Sequence, residues 1–191
     1  MASEQRQALI SALEAYQSDY AEELVFRDRF LRILGFENCF TRDLLEGHIT
    51  GSAWIVNDTF THAFMTHHAK LNKWLQPGGH ADGDEHVGRV ALKEALEETG
   101  MEGLKLYSTD ILDLDIHTIP ERKGVPEHEH YDIRFMIVTS LKTPFQLSEE
   151  SNELAWIPFE ELEAATGGNK SILRMVEKTR RFAGYLSSGT Y

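Results

Sequence analysis

Apolar residues recur at helical spacing over the first 35 positions. Leu9, Leu13, Tyr16 and Tyr20 stand three and four apart, and Leu24, Phe26, Phe30, Ile33 and Leu34 continue the stripe. Ser18-Asp19 divides the run into two helices, and Gly35 ends the second. The pattern changes at Gly47. HITGSAWIV, a turn at Asn57-Asp58 and a second run to about His68 read as a strand hairpin. Short strands are predicted at 104–107 and 111–118. In HYDIRFMIV, Tyr131, Ile133, Phe135 and Ile137 alternate with His130, Asp132, Arg134 and Met136, which gives one apolar and one polar face. A strand end at 155–158, a short helix in FEELEAA and a terminal helix over 171–182 follow. Strands on both sides of a central helix, with another helix near the end, predict a mixed α/β layered domain.

The central helix runs from His86 to Thr99. Val87, Val90, Ala91 and Ala95 supply small apolar positions, and Leu92, Lys93 and Leu96 are strong helix formers. Gly100 is a natural stop, and Gln76-Pro77-Gly78-Gly79 upstream is a turn-rich loop that can approach a ligand closely. Glu94, Glu97 and Glu98 fall at i, i+3 and i+4, so they are neighbours on one face. Such a cluster repels itself unless it is neutralised. A hard divalent cation such as Mg²⁺ takes oxygen ligands and can hold substrate phosphates as well. A merely solvated acidic helix would need neither the Pro-Gly-Gly loop nor Glu85 at its spacing.

The stretch from Gly79 to Met101 resembles the signature of the Nudix hydrolase family, G-x5-E-x7-R-E-U-x-E-E-x-G-U, with U a bulky aliphatic. Gly79, Glu85, Glu94, Glu97, Glu98 and Gly100 fall on its fixed positions, and Met101 fits the last. Lys93 stands where the family usually has Arg, and Ala95 is small for its position. Lys keeps the charge but lacks the planar fork of Arg. The resemblance implies an α/β/α sandwich with a mixed sheet over residues 46–165, an N-terminal helical extension over 1–45, and a C-terminal helix and tail over 166–191. It implies hydrolysis of a phosphoanhydride bond in a nucleoside diphosphate linked to another group, with Mg²⁺ or Mn²⁺. Glu94, Glu97 and Glu98 are then the catalytic metal ligands and the Gly79 carbonyl a further one. Glu85 would pair with Lys93 and align the helix. The general base is Glu98 or a later acid, with Glu127, Glu129, Glu150 and Glu153 as candidates.

Cationic and imidazole groups near the presumed mouth are the candidate substrate contacts. These are Lys70, Lys73, His80, His128, His130 and Arg134, with the carboxylate of Asp132 added from the same strand face. His128-x-His130-x-Asp132 also offers three metal-competent groups on one strand face. A polar face needs water, a partner or a ligand, so it is expected to open onto the active-site cleft, with structural hydrogen bonding as the other reading. Two other functions share the resemblance. A Nudix-fold sensor usually loses signature acids, which this chain keeps. Isopentenyl diphosphate isomerase has a metal-binding His and paired glutamates that Gly79-His80 and Glu127-x-Glu129 faintly echo, but it uses a cysteine near the glycine loop, and Cys39 lies well upstream.

Composition narrows the partners. A net charge of −12 over 191 residues argues against general nucleic-acid or anionic-membrane binding, though metal ions can bridge an acidic pocket to a phosphate. No run approaches the length of a membrane span, and the first residues lack a signal-peptide pattern. The single cysteine fits a reducing, cytoplasmic setting. The helical extension is expected to pack on the main domain or on a second subunit, the latter giving a homodimer.

Overall fold

The computed structural model describes residues 3–122, 124–148 and 151–188. Its elements in chain order are α1 (Glu4–Ala15), α2 (Ala21–Ile33), β1 (Gly47–Asn57), β2 (His62–His68), β3 (Lys73–Leu75), β4 (Gly78–His80), α3 (Val87–Thr99), β5 (Asp113–Ile119), β6 (His128–Thr139), β7 (Ser151–Pro158), α4 (Leu162–Ala165) and α5 (Lys170–Ser188). The strands form one sheet in the order β3-β2-β1-β6-β5, with β4 added to β1 and β7 to β2. The architecture is α/β, with the helical extension and terminal helix expected from the sequence. Among the described residues, no helix is long and apolar enough to cross a membrane.

Two compact units divide the chain. The first comprises Met1–Ser52, Gly78–Ala91 and Thr109–Phe135. Its helix α1 begins at Ser3, whose Oγ accepts from the Arg6 amide at 3.1 Å and satisfies one orphan donor of the first turn. Leu9, Leu13 and Tyr16 of the first apolar stripe, and Phe30 and Ile33 of the second, are buried. The extension is fastened to this chain's own β5. Buried Glu23 accepts from the Tyr16 hydroxyl at 2.7 Å, from the Leu114 amide at 3.0 Å and from Ser18. Strand β5 ends the sheet, so a carboxylate on a Leu114 amide occupies an edge donor that could otherwise template aggregation. β5 and β6 pair antiparallel from Asp113↔Arg134 to Ile119↔His128, and β1 meets β4 at Thr50↔His80, Gly51↔Gly79 and Ser52↔Gly78.

The second unit comprises Ala53–Pro77, Leu92–Ser108 and Met136–Tyr191. Here β2 lies between β3 and β7, with Thr66 opposite both Leu75 and Leu154. Ala53, Ile55, Phe64, Ala95, Met101, Leu104, Ile137 and Leu154 form its core. Helix α5 buries Ile172, Met175 and Val176, and the Thr179 hydroxyl takes the Trp54 indole hydrogen at 2.9 Å. The strand expected at 104–107 is reduced to a single bridge between Leu106 and Ile137.

Helix α3 contributes to both units and carries the signature. His86 caps it, with Nδ1 accepting from the Arg89 amide at 3.1 Å. Val87, Val90, Ala91 and Ala95 are buried, as their spacing predicts. Gly51 lets the helix lie directly on β1. A Cβ there would stand 2.9 Å from the Val87 carbonyl oxygen and 3.2 Å from the Ala91 amide nitrogen. Gly100 ends the helix in a left-handed conformation, φ 63°, with its amide on the Leu96 carbonyl.

Candidate functional site

The last two turns of α3 present the acidic set. Glu94 and Glu98 are half-buried and Glu97 is exposed. Lys93 Nζ bridges two of them, at 3.2 Å from Glu94 Oε1 and 3.2 Å from Glu97 Oε2. The hydrogen bond to Glu94 is the main reason the Lys93 ammonium is held above its ordinary pKa, with the charges of Glu94 and Glu97 adding to it. Lys93 therefore screens Glu94 and Glu97, and screening of exposed charge is weak. Carboxylates at i, i+3 and i+4 offer hard oxygen donors, the ligand type that a divalent cation of the Mg²⁺ or Mn²⁺ type takes.

Glu85 has a different partner from the one expected. Arg6 of α1 holds it, with Nη2 at 2.7 Å and Nε at 3.1 Å from Oε1, and Ser3 donates to the other carboxylate oxygen. The same guanidinium donates to the carbonyls of Phe36 (3.1 Å) and Glu37 (2.8 Å) and lies over the Phe40 ring. Lys93 is engaged by Glu94 and Glu97. The extension thus supplies the fork that the signature position lacks, and a guanidinium can make these directional bonds where an ammonium cannot. Pairing across 79 positions has no local sequence signal.

The polar face of β6 does not open onto water as expected. From Tyr131 to Ile137 every residue is buried. Asp132 accepts from Thr50 Oγ1 at 3.0 Å and Ser52 Oγ at 2.8 Å. Arg134 is 2% exposed and bonds Asp132 (2.8 Å), Asp115 (3.0 Å) and Asp113 (3.2 Å). Burial disfavours its charge, but the three carboxylates more than offset that and hold the guanidinium above its ordinary pKa. Asp132 and Arg134, both candidate substrate contacts, are thus members of an interior ion network. The cause is topological: β6 lies between β1 and β5, and α2 covers Tyr131, with Phe30 edge-on at 5.4 Å and Arg29 over its ring.

At the start of β6 the face carries imidazoles. His128 and His130 surround His48 of β1, with ring centroids 5.1 and 4.9 Å from it, and His80 of β4 lies 5.0 Å from His48 and 4.8 Å from His130. Burial is the leading cause of low basicity here, reinforced by neighbouring imidazoles and, for His48 and His80, by Arg42. It lowers His48 and His80 to about 4 and His130 to about 2. His48, His80 and His130 are therefore neutral near pH 7. His48 was missed from the sequence. The signal was the alternation His48, Thr50, Ser52 in β1, three polar side chains on one face that match His128, His130 and Asp132 in β6.

The other candidates are dispersed. Lys70 and Lys73 are exposed, the latter in β3. Among the late acids, Glu127 is exposed, and Glu129 is paired with Arg29 and accepts from the Tyr131 hydroxyl at 3.2 Å. Glu153 is exposed opposite His67 on β2, and Glu150 lies outside the described residues.

Comparison with known proteins places this geometry. The model of the NUDIX domain matches residues 47–178, more than half of the chain. A Lactococcus lactis subsp. cremoris protein named "Probable DHNTP pyrophosphohydrolase" is 31% identical over 98 residues, 50% of this chain and 53% of that protein. The chain thus spans about half the length of the curated relative it matches. A NUDIX-family hydrolase from Clostridium perfringens is similar in structure, with a TM-score of 0.52 and 25% identity over 71% of this chain and 97% of the other. The MutT protein from Methanosarcina mazei Go1 shares the fold, with a TM-score of 0.55 and 22% identity over 70% of this chain and 93% of the other. The signature on α3, the mixed sheet that carries it and the span of the domain match lead to one conclusion: this chain belongs to the Nudix hydrolase family.

Proposed function

We propose that the protein is a divalent-metal-dependent hydrolase of a phosphoanhydride bond in a nucleoside diphosphate linked to another group. The observation that carries this reading is the acidic face of α3, where Glu94, Glu97 and Glu98 stand at i, i+3 and i+4 and Lys93 bridges the first two. A diphosphate resists attack because its oxygens repel a nucleophile. A bound Mg²⁺ or Mn²⁺ supplies charge neutralisation, phosphate orientation and a lowered pKa for water.

In this reading Glu94, Glu97 and Glu98 hold the cation. Their carboxylates sit on a helix packed through Val90, Ala91 and Ala95, so the donor positions are fixed before substrate arrives. Lys93 keeps the cluster from repelling itself apart and orients Glu94. A signature carboxylate, with Glu98 favoured, takes the proton of the attacking water. Glu129 is disfavoured for that task because Arg29 and Tyr131 already occupy it. Water adds to phosphorus, the bridging oxygen leaves, and two phosphate products form.

The substrate is a small molecule of this class. The name of the Lactococcus relative adds DHNTP to a panel of nucleotide sugars, ADP-ribose-like compounds, oxidised nucleoside triphosphates and dinucleoside polyphosphates. The test is turnover of that panel with Mg²⁺ and Mn²⁺, with products resolved by chromatography. Cleavage of at least one compound at a phosphoanhydride, stopped by EDTA and restored by Mg²⁺, is expected. Turnover that persists in EDTA, or none on any compound, would overturn the reading.

A further inference from the structure

We infer that His48, His128 and His130 form a second metal site, one for a borderline divalent cation of the Zn²⁺ class, separate from the acidic turn. One ligand nitrogen from each lies within 4.8 Å of the others. Three imidazoles around a single ion at about 2.0–2.1 Å stand somewhat closer than this limit, so small side-chain rotations complete the site.

The second observation is an unmet need. His48 is 3% exposed, and among the described residues neither its Nδ1 nor its Nε2 has a hydrogen-bond partner; Nε2 of His130 is likewise buried and without one among them. Buried polar atoms are nearly always paired, because leaving them unsatisfied costs about 1–3 kcal/mol each. Hydrogen bonds between the strands' other polar side chains show that this face can satisfy itself where it is built to. Thr50, Ser52, Asp132 and Arg134 are joined one register further along. The imidazoles are not so joined, and a cation would use their free lone pairs.

The tautomer of His128 is already set for this. Its Nδ1 lies 2.8 Å from the Pro126 carbonyl oxygen, which can only accept, so Nδ1 carries the hydrogen and Nε2 keeps the lone pair. That is the support a metal-ligating histidine ordinarily receives from an outer partner. Nitrogen donors without carboxylate select Zn²⁺, Co²⁺ or Ni²⁺ over Mg²⁺. Asp132, the third member of the sequence motif, is not a ligand here because the Thr50, Ser52 and Arg134 side chains surround it. Three protein ligands leave a fourth position, and His80 adjoins the group, its ring centroid 5.0 Å from that of His48 and 4.8 Å from that of His130.

The test uses the full chain after chelator dialysis, titrated with Zn²⁺ against a colorimetric chelator and with Co²⁺ followed by visible absorption. One Zn²⁺ per chain is expected, together with Co²⁺ bands of a nitrogen-ligated, low-coordinate ion. His128→Ala, at a half-exposed position that should fold, is expected to weaken Zn²⁺ at least about tenfold, the loss that even an outer-shell partner can cost. His48→Asn is the companion variant. Glu97→Gln/Glu98→Gln is expected to retain the Zn²⁺ site, which separates this proposal from the acidic turn. Absence of a stoichiometric Zn²⁺, or equal affinity in wild type and His128→Ala, would overturn it. So would loss of the site in Glu97→Gln/Glu98→Gln.

Discussion

The acidic turn of α3 and the polar interior of β6 both cluster charged or metal-competent groups, but they solve opposite problems. On α3 the carboxylates are half-buried or exposed, and the solvent-facing Lys93 bridges Glu94 and Glu97. Around Arg134 of β6 the charges are sealed in, because its guanidinium meets three aspartates. Excess charge is tolerable only where water or a ligand can reach it. Where neither can, charges are matched or protons are given up. The first region should therefore lose function without losing the fold when altered, and the second should lose the fold.

The largest effect on stability is expected from Arg134→Ala. It leaves three interior carboxylates without their guanidinium, and breaking a buried ion pair costs about 3–5 kcal/mol. Denaturant unfolding should show a loss of that size, or no folded protein. A change below about 1 kcal/mol would mean that the network contributes little and that the contrast between the regions is drawn wrongly.

Arg6→Ala should cost about 2–3 kcal/mol, less than Arg134→Ala because Glu85 retains access to water. Melting temperature should fall by several degrees. Because Glu85 precedes α3, turnover should fall as well, and Arg6→Lys should recover only part of either. Full recovery by lysine would show that charge, and not the guanidinium fork, is what Glu85 requires.

A smaller effect is predicted at Cys39. Burial pushes its thiol up to about 11. The thiolate is the reactive form, so at pH 8 the native protein should label slowly with a thiol reagent and quickly only once unfolded. Rapid labelling of native protein at pH 8 would contradict the packing around residues 36–40. Lys93→Arg should change least. Arginine offers more donors to Glu94 and Glu97, so stability should stay within about 0.5 kcal/mol and turnover should hold or rise. A severe loss of turnover in folded Lys93→Arg would assign Lys93 a separate role.

Local patterns were legible in the sequence. The two extension helices, the β1–β2 hairpin and the acidic helix all follow from spacing within a window of about twenty residues. Strands β3 and β4, three residues each, are too short to have a period, and β7 begins at Ser151 inside a stretch that reads as a polar loop. What stayed unread at the site has one cause. Alternation in HYDIRFMIV correctly separates two faces, but it cannot tell whether the polar face meets solvent or partners. That depends on Asp113, Asp115, Thr50 and Ser52, which arrive from other strands. Arg6 on Glu85 and His48 beside His128 are likewise set by packing across 79 and 80 positions. The glutamates of α3 were readable as a group because their spacing is that of one helix.

The central claim is that the acidic turn carries chemistry and not stability. It is tested most directly by measuring turnover and melting temperature on the same preparations of wild type, Glu97→Gln and Glu98→Gln, with saturating Mg²⁺ and a substrate from the panel. The account predicts a fall in kcat of about a hundredfold or more in each variant, equivalent to about 2.7 kcal/mol of barrier, with melting within a few degrees of wild type. Near-normal turnover in both variants, or a loss of activity that merely tracks unfolding, would contradict it.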